Sequence, residues 1–305
     1  MRMKVGMIGL GGMGKPIAEC ILRTGFELTV ADLRPEQVAA LVSAGAASAK
    51  TPAEVAEASD IVIASLPSNA ASEDVALGPN GVLAGAKQGD VYIDTSTISP
   101  DVIRRVASAG AEKGIGVLDA PVSGSGLQRL DGTLTVMVGG DATTFELARP
   151  VLEAFGGNIF HVGPIGSGAT IKLINNLVMA SNAAAAMEGM LLGVKAGLTP
   201  EIIRDVLKVS SGGSTIFNNV ADRILDTPAK PKPGDGPTHG LQTVSKDVRL
   251  ASDLARSLGF PMIMGGAATQ AWLAGDAKGL QLHEMWGLIE VFEDFTGVRL
   301  DKPQH

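Results

Sequence analysis

Gly9-x-Gly11-x-x-Gly14 separates a short apolar run, Val5, Met7 and Ile8, from a stretch with Ile17, Ala18, Ile21 and Leu22 at helical spacing. Glycines at a strand-to-helix turn suit a dinucleotide diphosphate. Gly9 permits the tight turn, Gly11 admits the diphosphate to the backbone, and Gly14 lets helix pack on strand. The loop residues Leu10, Gly12 and Met13 belong to the same cradle, and the helix N-terminus offers free N–H groups to the phosphates. The run also fits the mononucleotide pattern GxxxxGK through Lys15. Pro16 then stands where that pattern needs a hydroxyl for magnesium, so this reading fails. Asp32 ends the next strand, eighteen residues after Gly14. A carboxylate there receives a ribose 2′-hydroxyl and repels a 2′-phosphate, which favours NAD over NADP, although nearby Arg34 could accommodate that phosphate. The structural alternative is that Asp32 caps the helix starting near Pro35.

Lys172 lies in the first turns of a long apolar helix, with Asn175 and Asn176 at i+3 and i+4 on the same side. Burial there favours the neutral amine and suits proton transfer. The two amides could orient a hydroxyl or carboxylate. Spacing alone leaves open a structural lysine that snorkels to solvent beside two packing amides. No metal site is expected: His161, His283 and His305 are scattered, and no Cys/His or Asp/Glu spacing suits zinc or calcium. No G-x-S-x-G elbow is present.

The elements that must position these residues read as two domains, 1–164 and 165–305. Strands at Glu27–Ala31, Ile61–Ser65, Val91–Asp94, Gly116–Ala120, Leu134–Val138 and Ile159–Val162 alternate with helices in the first. Such repeated units give a doubly wound, mostly parallel α/β sheet of Rossmann type, with ligands beyond the carboxyl ends of its strands. Leu66-Pro67, Thr95–Thr97 and Ser123-Gly124 fall at such ends. After Gly163 the patterns are helical: a long helix near Ala169–Ala196, apolar around its whole circumference and so expected to be buried on most sides, then Pro200–Lys208, Ile216–Leu225, Val244–Leu258, Met264–Ala274 and His283–Phe295. The stretch from Asp226 to Thr243, with prolines 228, 231, 233 and 237, reads as a long irregular loop. The second domain is therefore all-α, joined to the first by the long helix.

Composition bounds the rest. With 305 residues, 45% of them hydrophobic, each domain has enough chain for a core. The net charge of −7 argues against a nucleic-acid partner. The single cysteine, Cys20, suits a reducing compartment, and an N-terminus that enters a strand at once leaves no room for a secretory leader, so a cytoplasmic protein is expected. Asn175, Asn176, Ser181 and Asn182 interrupt the longest apolar run, so no membrane partner is expected.

The motifs GLGGMGKPIA from Gly9, DAPVSG from Asp119, DGTLTVMVGG from Asp131, GSGATIKLINN from Gly166, and Lys246-Asp247-Val248 stand in one order along the chain. Together they resemble the β-hydroxyacid dehydrogenase family, which includes 3-hydroxyisobutyrate dehydrogenase and tartronate semialdehyde reductase. The resemblance implies hydride transfer between a nicotinamide and a small β-hydroxyacid or its semialdehyde. It makes Lys172 the general acid/base and Asn176, with Asn175, the substrate-orienting amide. It makes Ser123, Gly124 and Ser125 the carboxylate clamp, and Leu66, Pro67, Thr97 and Lys246 cofactor contacts. It supports Asp32 as the NAD-type acid, and it implies a homodimer or homotetramer. Arg129 and His239 depart from the family, which usually has alanine and phenylalanine there. Either they line a more polar substrate pocket, or Arg129 points to solvent and the loop has drifted. Imine reductases share the architecture but typically lack the helix lysine. Phosphogluconate dehydrogenases usually carry histidine where Asn175 stands. A dinucleotide-binding regulator without turnover is the remaining alternative.

Overall fold

The computed structural model describes residues 3–124, 126–227, 229–230 and 240–300. Ser125, His239, His305 and the prolines at 228, 231, 233 and 237 lie outside the described residues. By contacts the chain divides into two compact units, Met1–Lys172 and Leu173–His305.

The first unit alternates strand and helix: β1 Lys4–Ile8, α1 Gly14–Arg23, β2 Glu27–Ala31, α2 Pro35–Ser43, β3 Ala47–Ser48, α3 Pro52–Glu57, β4 Ile61–Ala64, α4 Asn69–Leu77, α5 Val82–Gly85 and β5 Val91–Asp94. It continues with α6 Pro100–Glu112, β6 Gly116–Asp119, β7 Val122–Ser123, α7 Gly126–Asp131, β8 Leu134–Gly139, α8 Ala142–Leu152 and β9 Gly156–Gly163. The sheet order is β3-β2-β1-β4-β5-β6-β8-β7, with β9 also paired to β8. Strands β1 to β6 pair in parallel. β8 runs antiparallel to β6 and β7, and parallel to β9.

Alternation along the strands builds a core on each face. Met7, Ile63 and Ile93 pack on one side with Ile17 and Ile21 of α1. Ile8, Val62 and Tyr92 pack on the other with Val55, Val102 and Ile103. The helices begin where the sequence allows free N–H groups to be satisfied. At α3 the Thr51 hydroxyl accepts from the Glu54 N–H at 3.1 Å, and the Glu54 carboxylate accepts from the Lys50 N–H at 2.7 Å.

The second unit is helical, with α9 Ser167–Lys195 running into it from the first, then α10 Pro200–Lys208, α11 Thr215–Asp226, α12 Leu241–Ser257, α13 Met264–Ala277 and α14 Ile289–Thr296. Its core gathers Met187, Met190 and Leu191 of α9 around Phe217, Val248 and Trp272. The Trp272 indole N–H, fully buried, donates to the Ala180 carbonyl at 3.2 Å. Two features differ from the sequence reading. α9 is less covered than the expected burial on most sides: Ile174, Val178 and Leu192 are exposed while Ala180, Met187 and Met190 are buried. The expected helix from His283 instead starts as a 3-10 turn at Met285–Leu288. There the His283 carbonyl accepts from Leu241 N–H, and Glu284 N–H donates to the Ala229 carbonyl. Those bonds, with the Gly240–Glu284 bridge, hold the backbone extended where periodicity suggests a helix.

At the first strand-to-helix turn, a Cβ on Gly14 would stand 1.8 Å from the Gly9 carbonyl oxygen. The obstacle is backbone, which cannot rotate away. Gly14→Ala therefore lowers unfolding free energy by ~1–3 kcal/mol. Urea denaturation reads this, and an unchanged midpoint would contradict the close approach.

Candidate active site

In the first unit, the glycine loop closes over the carboxyl end of β1. Gly9 has φ +85°, and a Cβ there would lie 2.3 Å from the Ser65 carbonyl oxygen, so only glycine fits. At Gly12 a Cβ would meet nothing within 4 Å, and at Gly11 only the Arg34 guanidinium at 3.8 Å. The outer wall of the loop is thus open backbone at the start of α1, the shape and polarity a dinucleotide diphosphate requires.

Asp32, one residue past β2, accepts from the Leu10 N–H at 2.6 Å, which ties the loop to the strand end. Its other oxygen accepts from the Arg34 N–H at 2.8 Å and from Arg34 Nε at 3.1 Å. Burial opposes its ionisation, but the Arg34 side chain and the two backbone donors outweigh burial and hold the carboxyl below its usual range. Asp32 is therefore an anion at neutral pH. Arg34, the possible 2′-phosphate ligand, is already engaged by this carboxylate.

Further along the carboxyl edge, the Leu66 N–H donates to Ser96 Oγ at 2.8 Å, and the Ser96 N–H donates to Asp94 at 2.8 Å. These bonds shape the turns that carry Leu66, Pro67 and Thr97. Asp94 is buried, and desolvation raises its carboxyl despite the donors around it. Ser123 ends β7 with Gly124 next to it, where a Cβ would lie 2.5 Å from Leu134 Cδ2.

Asp119 ends β6, beside Asp94 in register. It is 1% exposed, and its two oxygens accept the Gly166 N–H at 2.8 Å and the Ala169 N–H at 2.6 Å. It thereby caps α9 from the neighbouring sheet. The approach is close: a Cβ on Gly168 would stand 2.3 Å from the Met137 carbonyl oxygen, and one on Gly139 would stand 2.4 Å from Asp119 Oδ1. Lys172 follows three residues after Ala169 and is 9% exposed. In the sequence Asp119 stands out only as the first residue of DAPVSG. An acid at a strand end and a Gly-x-Gly ahead of a helix are each visible in sequence, but their pairing is not.

In the second unit, Asn176 is buried and Asn175 exposed, so the two amides do not share one environment. Asn175 Nδ2 donates to Asn176 Oδ1 at 2.9 Å, and Asn176 Nδ2 donates to Asp247 Oδ2 at 2.5 Å. Asp247 is 3% exposed, and its Oδ1 lies 3.3 Å from Lys246 Nζ. The carboxylate therefore links Asn176 and Lys246, two of the expected residues. An acid at i+3 from Val244 on the buried stripe of α12 is the sequence signal for it.

Arg129 is not placed with Ser123's neighbours in a substrate pocket by any described contact. Its Nη1 donates to the Gly12 carbonyl at 3.2 Å, on the glycine loop. His239 and Ser125 lie outside the described residues. Among the described residues, no group of three or more His, Cys, Asp or Glu side chains could hold a metal ion.

An open sheet of this order, with a glycine loop after β1 and an acid after β2, is the architecture of a dinucleotide-binding protein. Residues 4–163 match the sequence model of the NAD-binding domain of 6-phosphogluconate dehydrogenase. Residues 166–292 match that of the NAD-binding domain of NADP-dependent 3-hydroxyisobutyrate dehydrogenase. The chain is 39% identical to 2-(hydroxymethyl)glutarate dehydrogenase of Eubacterium barkeri over 99% of its own length and 98% of that protein's. It is 36% identical to the mitochondrial 3-hydroxyisobutyrate dehydrogenase of Mus musculus, over 95% and 87%. A solved 3-hydroxyisobutyrate dehydrogenase of Salmonella typhimurium superposes with TM-score 0.85 at 30% identity, over 95% of this chain and 100% of that one. The chain belongs to the 3-hydroxyisobutyrate dehydrogenase family of nicotinamide-dependent hydroxyacid dehydrogenases.

Burial pushes the Asp119 carboxyl up to about 6, against the pull of the Ala169 and Gly166 N–H groups; Asp94 adds a smaller push upward. Its unfolded value is 3.8, so between these values the folded chain binds more protons than the unfolded one. The contribution of Asp119 to stability is thus full below 3.8 and declines as pH rises to about 6. The stability advantage of wild type over Asp119→Asn shrinks by up to ~3 kcal/mol across that window and is flat above it. Denaturation series at several pH values test this, and a pH-independent difference would contradict it.

Proposed function

We propose that this protein interconverts a small 3-hydroxyacid bearing a primary hydroxyl with its semialdehyde, using NAD in preference to NADP. The observation that carries the reading is Lys172, buried in the opening turns of a helix whose N-terminus Asp119 holds against the dinucleotide-binding sheet. The glycine loop fits the cofactor because its outer wall is open backbone. When bound, NAD supplies a hydride acceptor at the nicotinamide.

Lys172 Nζ, as the free amine, takes the hydroxyl proton while the carbinol carbon is oxidised; as the ammonium it returns that proton in reduction. Ser123 and the Gly124 backbone give neutral donors to the substrate carboxylate, with Ser125 in the same clamp. Asn175 and Asn176 orient the substrate, and the Asp247 bond supports one amide rotamer of Asn176. Leu66, Pro67, Thr97 and Lys246 are assigned to the cofactor. Residues 1–164 bind the dinucleotide, and residues 165–305 serve substrate and self-association. The exposed Ile174, Val178 and Leu192 of α9 support a homodimer or homotetramer.

The substrate class rests on the names of the relatives. 2-(Hydroxymethyl)glutarate and 3-hydroxyisobutyrate both carry a hydroxymethyl group on the carbon next to a carboxylate. They differ in the third substituent, a carboxyethyl arm or a methyl group. The preference for NAD rests on the anionic Asp32, which accepts a ribose hydroxyl and repels a 2′-phosphate.

Turnover followed at the reduced-nicotinamide band with a panel of 3-hydroxyacids tests this reading. Expected are activity on 2-hydroxymethyl carboxylates and a kcat/KM at least about tenfold higher with NAD than with NADP. Dinucleotide binding without turnover of any 3-hydroxyacid would contradict it.

A further inference from the structure

Arg129 stands out because it is a cation from α7 set against the glycine loop. The short helix α7 is held there from its C-terminal end. Arg23 Nη2 of α1 donates to the Leu130 carbonyl at 2.9 Å. The Cys20 thiol lies 3.8 Å from the carbonyl oxygens of both Arg129 and Leu130. With α7 fixed to α1, the Arg129 side chain extends to the loop, and its Nη1 donates to the Gly12 carbonyl. Arg129 Nε is buried and has no hydrogen-bond partner among the described residues.

A cleft of about 270 Å³ opens here, lined by Gly11, Gly12, Lys15, Arg34 and Arg129 among others. Its three cations come from three different helices or helix approaches. Lys15 stands in the first turn of α1, Arg34 precedes α2, and Arg129 is on α7. Arg34 is paired with Asp32, so these two charges offset each other. Lys15 and Arg129 remain as positive charge around the start of α1, whose N–H groups already favour an anion. A guanidinium that reaches a loop carbonyl and keeps N–H groups for a ligand is suited to bind a phosphate oxygen.

We propose that Arg129 is a cofactor residue: with Lys15 it binds the diphosphate of the dinucleotide over the glycine loop, rather than contacting the hydroxyacid. The inference rests on the proposed function, since it takes the cofactor from that reading. The diphosphate is favoured over a 2′-phosphate because Arg129 contacts Gly12, in the diphosphate-binding loop. Asp32 places a negative charge at the ribose position.

Titration of NADH and NADPH into wild type, Arg129→Gln and Arg129→Lys, read by nucleotide fluorescence, tests this. Arg129→Gln is expected to weaken both dinucleotides by about tenfold or more, the loss of one charged hydrogen bond, and to leave the hydroxyacid KM unchanged. Arg129→Lys, which keeps the charge, is expected to recover part of the affinity and to serve if the glutamine variant does not fold. Loss confined to NADPH would overturn the diphosphate assignment in favour of a 2′-phosphate contact. Unchanged affinity for both nucleotides in both variants would overturn the proposal, and a raised hydroxyacid KM alone would return Arg129 to the substrate. Failure of wild type to bind either dinucleotide would overturn the proposed function itself, and this inference with it.

Discussion

The carboxylate of Asp119 accepts two backbone N–H groups from the start of α9, within the first unit. A buried acid is costly unless hydrogen-bonded, and the first N–H groups of a helix are without partners inside it. Each need answers the other. The glycines at 139 and 168 make the contact possible, because a side chain on either would collide with backbone or with Asp119 itself. The result is a fixed start for α9, and Lys172 follows three residues after the last capped group. The burial that raises the Asp119 carboxyl and the geometry that positions Lys172 are one constraint seen from two sides.

The same economy governs the dinucleotide loop. Gly9 and Gly14 are closed against backbone, while Gly11 and Gly12 leave the outer wall open. Asp32 ties the loop to β2 through the Leu10 N–H and also engages Arg34. One carboxylate thus shapes the loop, places a negative charge at the carboxyl end of β2 and occupies the nearest arginine. In the second unit Asp247 plays a comparable part, linking Asn176 to Lys246 by one buried acid. The buried carboxylates hold the polar side chains in place while apolar packing supplies the scaffold.

The parts legible in the sequence are the local ones. The glycine loop, Asp32 and the strand-helix alternation each depend on residues close in the chain, and periodicity reads such features directly. The pairing of Asp119 is not legible, because its partners lie 47 and 50 residues away and are backbone groups without a sequence signature. For Arg129 the sequence leaves a substrate pocket and solvent both open, and its contact is with a loop 117 residues earlier. The last helix begins later than the apolar spacing around Trp286 suggests, because a backbone bridge joins Gly240 to Glu284. The exposed side of α9 could not be read either, since a run apolar on all faces carries no sign of which face the single chain leaves uncovered.

The central claim is that Lys172 moves the substrate proton and does not build the cofactor site. Lys172→Met keeps the apolar stem and removes the amine. Steady-state turnover with an accepted 3-hydroxyacid, measured beside NADH affinity for the same variant, tests the claim most directly. A fall in kcat of about 10²–10⁴-fold is expected, with NADH affinity held within about twofold. Turnover near the wild-type rate, or a loss explained entirely by weaker NADH binding, would contradict it.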